Sequence, residues 1–491
     1  MGRTPFPRST PESQGIPSRA ILGFVEAADR DIRHLHSVML LRRGALVAEG
    51  YWDPYRPSDP HMLFSLSKSF TSTAVGMLVA DGRLSVEDPV LQHFPDEAPA
   101  APSDRLQQMR VKHLLTMTTG HHTDPTPLVR QSEPAWRRAF LALPVEHEPG
   151  THFVYNSAAT YMLSAIVQRL SGQRVVEFLG PRLFEPLGIE APTWETSPEG
   201  IDAGGWGMSA RTADIARFGQ LYLQGGGWQG QQLVERAWVD EATAFQVPNA
   251  TSGNPNPDWQ QGYGYQFWRC RYGVYRGDGA FGQFCVVMPE QEAVLAITAG
   301  VADMQAVLNL VWEHLLPAMR SEPLPEDAAQ AGRLADRLVS LRTAPVAGQA
   351  TSPRAAEVSG RSYAVDANDD DISSIAFDFA ADGATLSMRN ERGEQRIACG
   401  YDSWARGEAD IESAYRRHLG TQVPVPNAVV ASGAWTDEDT YTVELWWYLT
   451  PFRRTLSCRF SENGVRVDQR ANLSFGSTER PRLEGRVSGV R

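Results

Sequence analysis

Ser65 and Lys68 stand three residues apart in the stretch Phe64-Ser65-Leu66-Ser67-Lys68-Ser69-Phe70. On a helix this spacing puts a hydroxyl and an amine on one face, a single turn apart. A serine beside an amine that can lose its proton is a nucleophile with its own base, which is the chemistry of acyl transfer. The lysine is informative because lysine is so rare here: Lys68 and Lys112 are the two among 46 basic residues. Arginine cannot give up its proton in a protein, so it cannot replace a lysine that works as a base. Serine is common, and one of two lysines would meet a serine at this distance by chance about one time in seven. The pair therefore has to be read with its surroundings.

The residues that follow, 70–80, are apolar on most sides and predict a helix buried in a core. A lysine in the first turn of such a helix is short of water and close to the positive end of the helix dipole. Both effects push its pKa down. The same helix start offers the Ser65 backbone N–H to an oxyanion.

The rest of the chain predicts the frame that must hold this pair. An amphipathic helix spans about 18–33, and residues 36–51 form a β-hairpin turning at Arg43-Gly44. A long helical and loop region runs to about 245. Strands follow at 262–271, 282–289 and 292–299, then helices at 303–319 and 326–341. Two early and three late strands around a helical insertion imply an α+β fold. Its five-stranded antiparallel sheet is flanked by helices and carries a helical subdomain. Residues 343–357 have linker composition. Beyond them, 358–491 alternates in the manner of antiparallel strands, as in Thr440-Tyr-Thr-Val-Glu-Leu-Trp-Trp-Tyr, and forms an all-β barrel or sandwich, lipocalin-like if closed. The expected domains are 1–342 and 358–491.

A net charge of -12 argues against nucleic-acid or anionic-membrane partners. No segment is long and apolar enough to span a membrane and the first residues lack a signal-peptide core, which predicts a cytoplasmic protein. Cys270, Cys285, Cys399 and Cys458 lack metal-ligand spacing and read as reduced core residues. His121-His122 with Asp124 read as loop residues rather than a metal site, and Lys112 as a helix-surface residue. No Gly-x-Ser-x-Gly elbow occurs, so a histidine-based α/β-hydrolase triad is not expected.

Five stretches together resemble the β-lactamase-related serine hydrolases, which include class C β-lactamases, D-amino-acid peptidases and esterases on one fold. They are Phe64–Phe70, Val111–Gly120, Pro149–Ser157, the run Gly204–Ser209 leading to Asp214–Gly219, and Gly277–Phe284. The resemblance covers about residues 10–320. It implies that Tyr155 matches the tyrosine of the family's Tyr-x-Asn motif and relays protons between serine, leaving group and water. The third position of that motif is Ser157 rather than asparagine, and the lysine of the Lys-Thr-Gly motif is absent, with Arg276, Gly277 and Asp278 in its region. Both departures weigh against a β-lactam substrate. One backbone N–H among Gly277, Asp278, Gly279 and Ala280 is expected to complete the oxyanion hole. Tyr263, Tyr265, Phe267, Trp268 and Trp206 divide between core and an acyl pocket. The expected function is hydrolysis of small acyl esters through an acyl-enzyme on Ser65, without a cofactor or metal. The alternatives are an amide or peptide hydrolase, a weak β-lactamase, or a non-enzymatic penicillin-binding-like scaffold.

Overall fold

The computed structural model describes residues 5–132, 135–250, 253–368, 370–411 and 427–488. The hairpin forms from Leu35–Arg42 and Ala45–Tyr51. Arg43 and Gly44 turn it with φ of 49° and 76°, the double left-handed conformation that matches the twist of paired strands. These strands join Ala293–Ala299, Gln283–Met288, Tyr275–Gly279 and Trp268–Arg269 in one antiparallel sheet.

The sheet thus has six strands. The run read as a strand at 262–271 contributes only its two-residue edge, because Gly262 (φ 99°) and Gln266 (φ 65°) break the extended backbone. Tyr275–Gly279 is a strand that glycine content hides from a propensity reading. Alternation places Val294 and Ala296 in the core on one face of the sheet, and Leu295 and Ile297 in the core on the other. Thr212–Leu223 covers the first face, while Ser18–Ala27 and Met304–Leu310 cover the second.

The C-terminal part, about a quarter of the chain, is a barrel. Its strands run Ser362–Val365, Ser374–Ala380, Gly383–Asn390, Gly393–Gly400, then Ala428–Trp435, Thr440–Trp446, Arg453–Phe460, Gly464–Ala471 and Leu483–Val487. Each pairs with its neighbour in this order, and the last pairs back to the first. Gly393–Gly400 meets Ala428–Trp435 in parallel at Gly400 and Ser432, where Ser432 Oγ donates to Gly400 O at 3.1 Å and closes the wall. Ala405–Glu408 adds a tenth strand along Ala428–Trp435. The up-and-down order is lipocalin-like, but the interior is filled. Phe377, Phe379, Trp435, Tyr441 and Phe460 pack there with centroids 4.8–6.2 Å apart.

The two parts are in direct contact. Met62 and Phe64 belong to the barrel's apolar cluster. The Phe64 ring lies 5.5 Å from Phe281, 6.1 Å from Phe452 and 6.0 Å from Phe475. Tyr55 packs on Trp446 at 6.0 Å. The segment between them is fastened to both: Thr343 N donates to Asp53 O at 2.8 Å, and Gln349 N to Trp435 O at 2.8 Å. Among the described residues no helix is long and apolar enough to cross a membrane. All four cysteines are buried and free.

Candidate active site

Ser65 sits in a 3₁₀ turn, Phe64–Leu66, that runs into the helix Ser67–Ala80. Twelve of the helix's fourteen residues are buried, as an all-round apolar pattern requires. Its polar side chains stitch it to the loop at 204–208. Ser67 Oγ accepts from Met208 N at 3.1 Å, and Thr71 Oγ1 donates to Gly204 O at 2.9 Å. That loop needs its glycines. A Cβ on Gly204 (φ 66°) would meet Ser164 Cβ at 2.7 Å, and one on Gly205 would meet Ser157 O at 2.8 Å.

Lys68 is 1% exposed and makes three contacts. Its Nζ lies 2.9 Å from Ser65 Oγ, 2.9 Å from Ser157 Oγ and 2.6 Å from Gly205 O. Loss of water pulls its pKa down to about 7, against the opposing pull of the Asp124 and Asp278 carboxylates. The expected direction is therefore present, with desolvation as the leading cause.

Tyr155 precedes the helix Ser157–Ser171. Asn156 caps that helix, its Oδ1 accepting from Ala159 N at 3.0 Å and its Nδ2 donating to Thr119 Oγ1 at 3.2 Å. The cap fixes the backbone so that Tyr155 and Ser157 both face Lys68. The Tyr155 ring lies 4.8 Å from Lys68 Nζ, stacks on Trp268 at 5.2 Å, and its hydroxyl shares a hydrogen bond with Ser65. Burial raises the Tyr155 pKa far above its ordinary range, so the phenol keeps its proton at neutral pH.

The strand Tyr275–Gly279 runs against this turn. A Cβ on Gly277 would meet Leu66 Cδ1 at 2.5 Å, and one on Gly279 would meet Leu63 O at 1.9 Å. These two glycines let the strand approach the turn that carries Ser65, while Asp278 and Ala280 line the cleft. Among the described residues, neither the Ser65 N–H nor the Ala280 N–H donates to a protein acceptor. Two residues beside these donors have unusual backbones: Phe64 has φ 50° and Phe281 φ 67°. Left-handed conformations at bulky side chains are held by their surroundings, here by the aromatic contacts with Phe452 and Phe475.

The cleft holds about 840 Å³ and is lined by Ser65, Tyr155, Ser157, Asp278 and Ala280, with Trp206, Trp268, Arg130, Phe475 and others around them. The expected aromatic set divides. Trp206 and Trp268 reach the cleft, whereas Tyr263, Tyr265 and Phe267 are core. Arg276, the cation in the region of the absent motif lysine, is sealed away. It is fully buried over Trp259 at 4.1 Å and donates to Asp278 at 2.9 Å and to Asp258 O at 2.7 Å. Lys112 is on the surface in an ion pair with Glu87 at 2.7 Å. Sequence reasoning missed Phe475 and Arg130, read Asp124 only as a loop residue, and did not see the contact of Gly205 with Lys68. The first comes from the other domain, and the last acts through its carbonyl, which no side-chain pattern signals.

The beta-lactamase family profile matches residues 27–307. A 6-aminohexanoate-dimer hydrolase of Paenarthrobacter ureafaciens is 28% identical over 276 residues, 52% of this chain and 70% of that protein. Other curated relatives are matched over 34–66% of their own length. A penicillin-binding protein homologue from Caulobacter crescentus superposes with a TM-score of 0.50 at 17% identity, over 64% of this chain and 100% of its own. The structure of SurE does so with a TM-score of 0.50 at 16% identity, over 96% and 99%. The fold likeness to SurE therefore extends through the barrel. The family match runs from the end of the first helix through the sheet and encloses Ser65, Lys68, Tyr155 and Ala280, and on that basis the chain belongs to the beta-lactamase family of hydrolases.

Proposed function

We propose that the protein hydrolyses carboxylic esters of small acyl groups through an acyl-enzyme on Ser65. The observation that carries this reading is Lys68 Nζ, sealed from water and 2.9 Å from Ser65 Oγ, with a pKa near 7. As a neutral amine, Lys68 gives its two N–H groups to Gly205 O and Ser157 Oγ and turns its lone pair to Ser65. It takes the hydroxyl proton as Oγ attacks the carbonyl carbon. The oxyanion is received by the Ser65 and Ala280 N–H groups, which have no other acceptor among the described residues. The proton passes from the Lys68 ammonium, by way of the Tyr155 phenol, to the leaving oxygen, and an alcohol departs. Water then enters, loses a proton along the same route, and attacks the acyl carbon. The carboxylic acid leaves and Ser65 regains its proton. No step requires a cofactor.

The missing lysine, the sealed Arg276 and Ser157 in place of asparagine leave a site with fewer anchors for a β-lactam. A second reading, hydrolysis of a linear amide, is favoured by the 6-aminohexanoate-dimer hydrolase among the relatives. It uses the same residues, with a nitrogen leaving group that must be protonated. Labelling with a fluorophosphonate, followed by mass spectrometry, tests the nucleophile: an adduct on the peptide containing Ser65 is expected, and an adduct elsewhere refutes it. Comparing p-nitrophenyl esters, linear amides and a chromogenic cephalosporin then ranks the substrate classes.

A further inference from the structure

His122, His147 and His152 are brought together at the mouth of the cleft by two loops that sequence separates. Each offers one ring nitrogen, and the three nitrogens lie within 4.8 Å of one another. His122 Nδ1 and His147 Nε2 are 3.0 Å apart. The rings are layered: His147 lies 4.2 Å from His152, and His122 lies 6.0 Å from His152 with planes inclined by 7°.

The backbone beneath them is already fixed. His147 N donates to Gly120 O at 2.8 Å, Gly150 N to Thr118 O at 2.8 Å, and His122 N to Glu146 Oε2 at 3.1 Å. Gly150, at φ 95°, makes the turn that returns the chain from His147 to His152. Two imidazoles on one tetrahedral zinc, with bonds of about 2.0–2.1 Å, hold their nitrogens roughly 3.4 Å apart. The His122–His147 pair needs a shift of only a few tenths of an ångström to reach that separation. Three ring nitrogens from side chains with no other evident task are the donor set that borderline ions prefer.

We propose that His122, His147 and His152 form a site for a divalent transition-metal ion of the zinc class, with one coordination position open toward the cleft. His122 and His152 line the cleft together with Ser65 and Tyr155, whereas His147 stands behind them. A three-ligand site keeps its fourth position for water or a substrate oxygen. With Arg276 sealed inside, an ion here would place a positive charge where a carboxylate on a substrate or product enters.

The test uses the purified full chain, stripped with a chelator and titrated with Co²⁺, whose tetrahedral complexes absorb strongly in the visible range. One equivalent of Co²⁺ is expected to bind saturably, with Zn²⁺ displacing it and Mg²⁺ failing to do so. Acetate is expected to shift the spectrum by taking the open position. His147→Ala should weaken Co²⁺ binding by at least about tenfold. Its melting temperature, and its turnover of a small ester in metal-free buffer, should stay at wild-type values. Absence of saturable one-to-one binding, or wild-type affinity in either the His147→Ala or the His152→Ala variant, overturns the site. A spectrum insensitive to acetate overturns the open position.

Discussion

If Lys68 is the base, the pH dependence of kcat/KM should report its burial. A lysine in water, at its ordinary pKa of 10.5, is neutral in about one molecule in 3,000 at pH 7. With the pKa lowered to about 7, about half the molecules carry the free amine, a gain of about three powers of ten in competent enzyme. The lowered pKa also fixes the shape of the profile. The amine form is lost as pH falls through 7, so kcat/KM for an uncharged p-nitrophenyl ester should rise with pH and level off near pH 8. At pH 6 it should be about one-tenth of the plateau.

Two substitutions test the cause. Asp124 raises the Lys68 pKa through its charge, so Asp124→Asn should move the rising limb to lower pH while Asn retains an acceptor for Thr126. Lys68→Arg keeps the charge but cannot accept a proton, and should lose hundredfold or more at every pH. The assay is initial rate against substrate concentration from pH 5 to 9, corrected for buffer hydrolysis. A limb at pH 9 or above in the wild type would refute the argument, as would near-native turnover by Lys68→Arg.

Other outcomes follow from the same geometry. Because burying the Lys68 ammonium is costly, the folded state binds fewer protons than the unfolded chain between pH 7 and 10.5. Stability should rise with pH across that window, by an amount of the order of a few kcal/mol, and the slope should flatten in Lys68→Met; denaturant melts at several pH values measure it. Ser65→Ala should abolish adduct formation while leaving the melting temperature near wild type, since it removes one partly buried hydroxyl; intact-mass measurement after a slow ester decides. Short acyl esters should be turned over with higher kcat/KM than nitrocefin, and the reverse order would put a β-lactam substrate first. A chain ending near residue 345 loses Phe452 and Phe475 and exposes Met62 and Phe64. It should aggregate or lose most ester activity, whereas a monodisperse and fully active truncation would show that the barrel is a dispensable accessory.

The hydrolase part was legible because its signals are local. Ser-x-x-Lys on an apolar helix, the Arg43-Gly44 turn and the apolar run at 292–299 each need only a few consecutive residues. The barrel was visible as alternating strands, but not its closure, since one pairing at Gly400 and Ser432 separates a barrel from an open sheet. The candidate site was legible at Ser65, Lys68 and Tyr155, which lie in motifs and which the structure brings together. Among Gly277, Asp278, Gly279 and Ala280, the proposal takes Ala280, whose N–H makes no hydrogen bond among the described residues. His121 and Asp124 were read beside His122, yet His121 is turned inward to Thr119 at 2.8 Å and Asp124 is held by Thr126. The neighbours of His122 in space come from 25 and 30 residues further along the chain, where no spacing rule reaches.

The aromatic clamp around Phe64 and Phe281 bears on how the chain is made. Synthesis delivers Ser65, Lys68, Tyr155 and Ala280 well before Phe452 and Phe475 exist. A ribosome-bound chain of about 450 residues holds every group that the proposed reaction uses, but neither aromatic wall that steadies the two left-handed phenylalanines. The turn at Ser65 and the strand end beside it therefore meet these partners only after the later strands of the barrel have been translated. The proposed activity is tied in this way to translation past Phe475, and a product terminated before that residue carries Ser65 on an unfinished support.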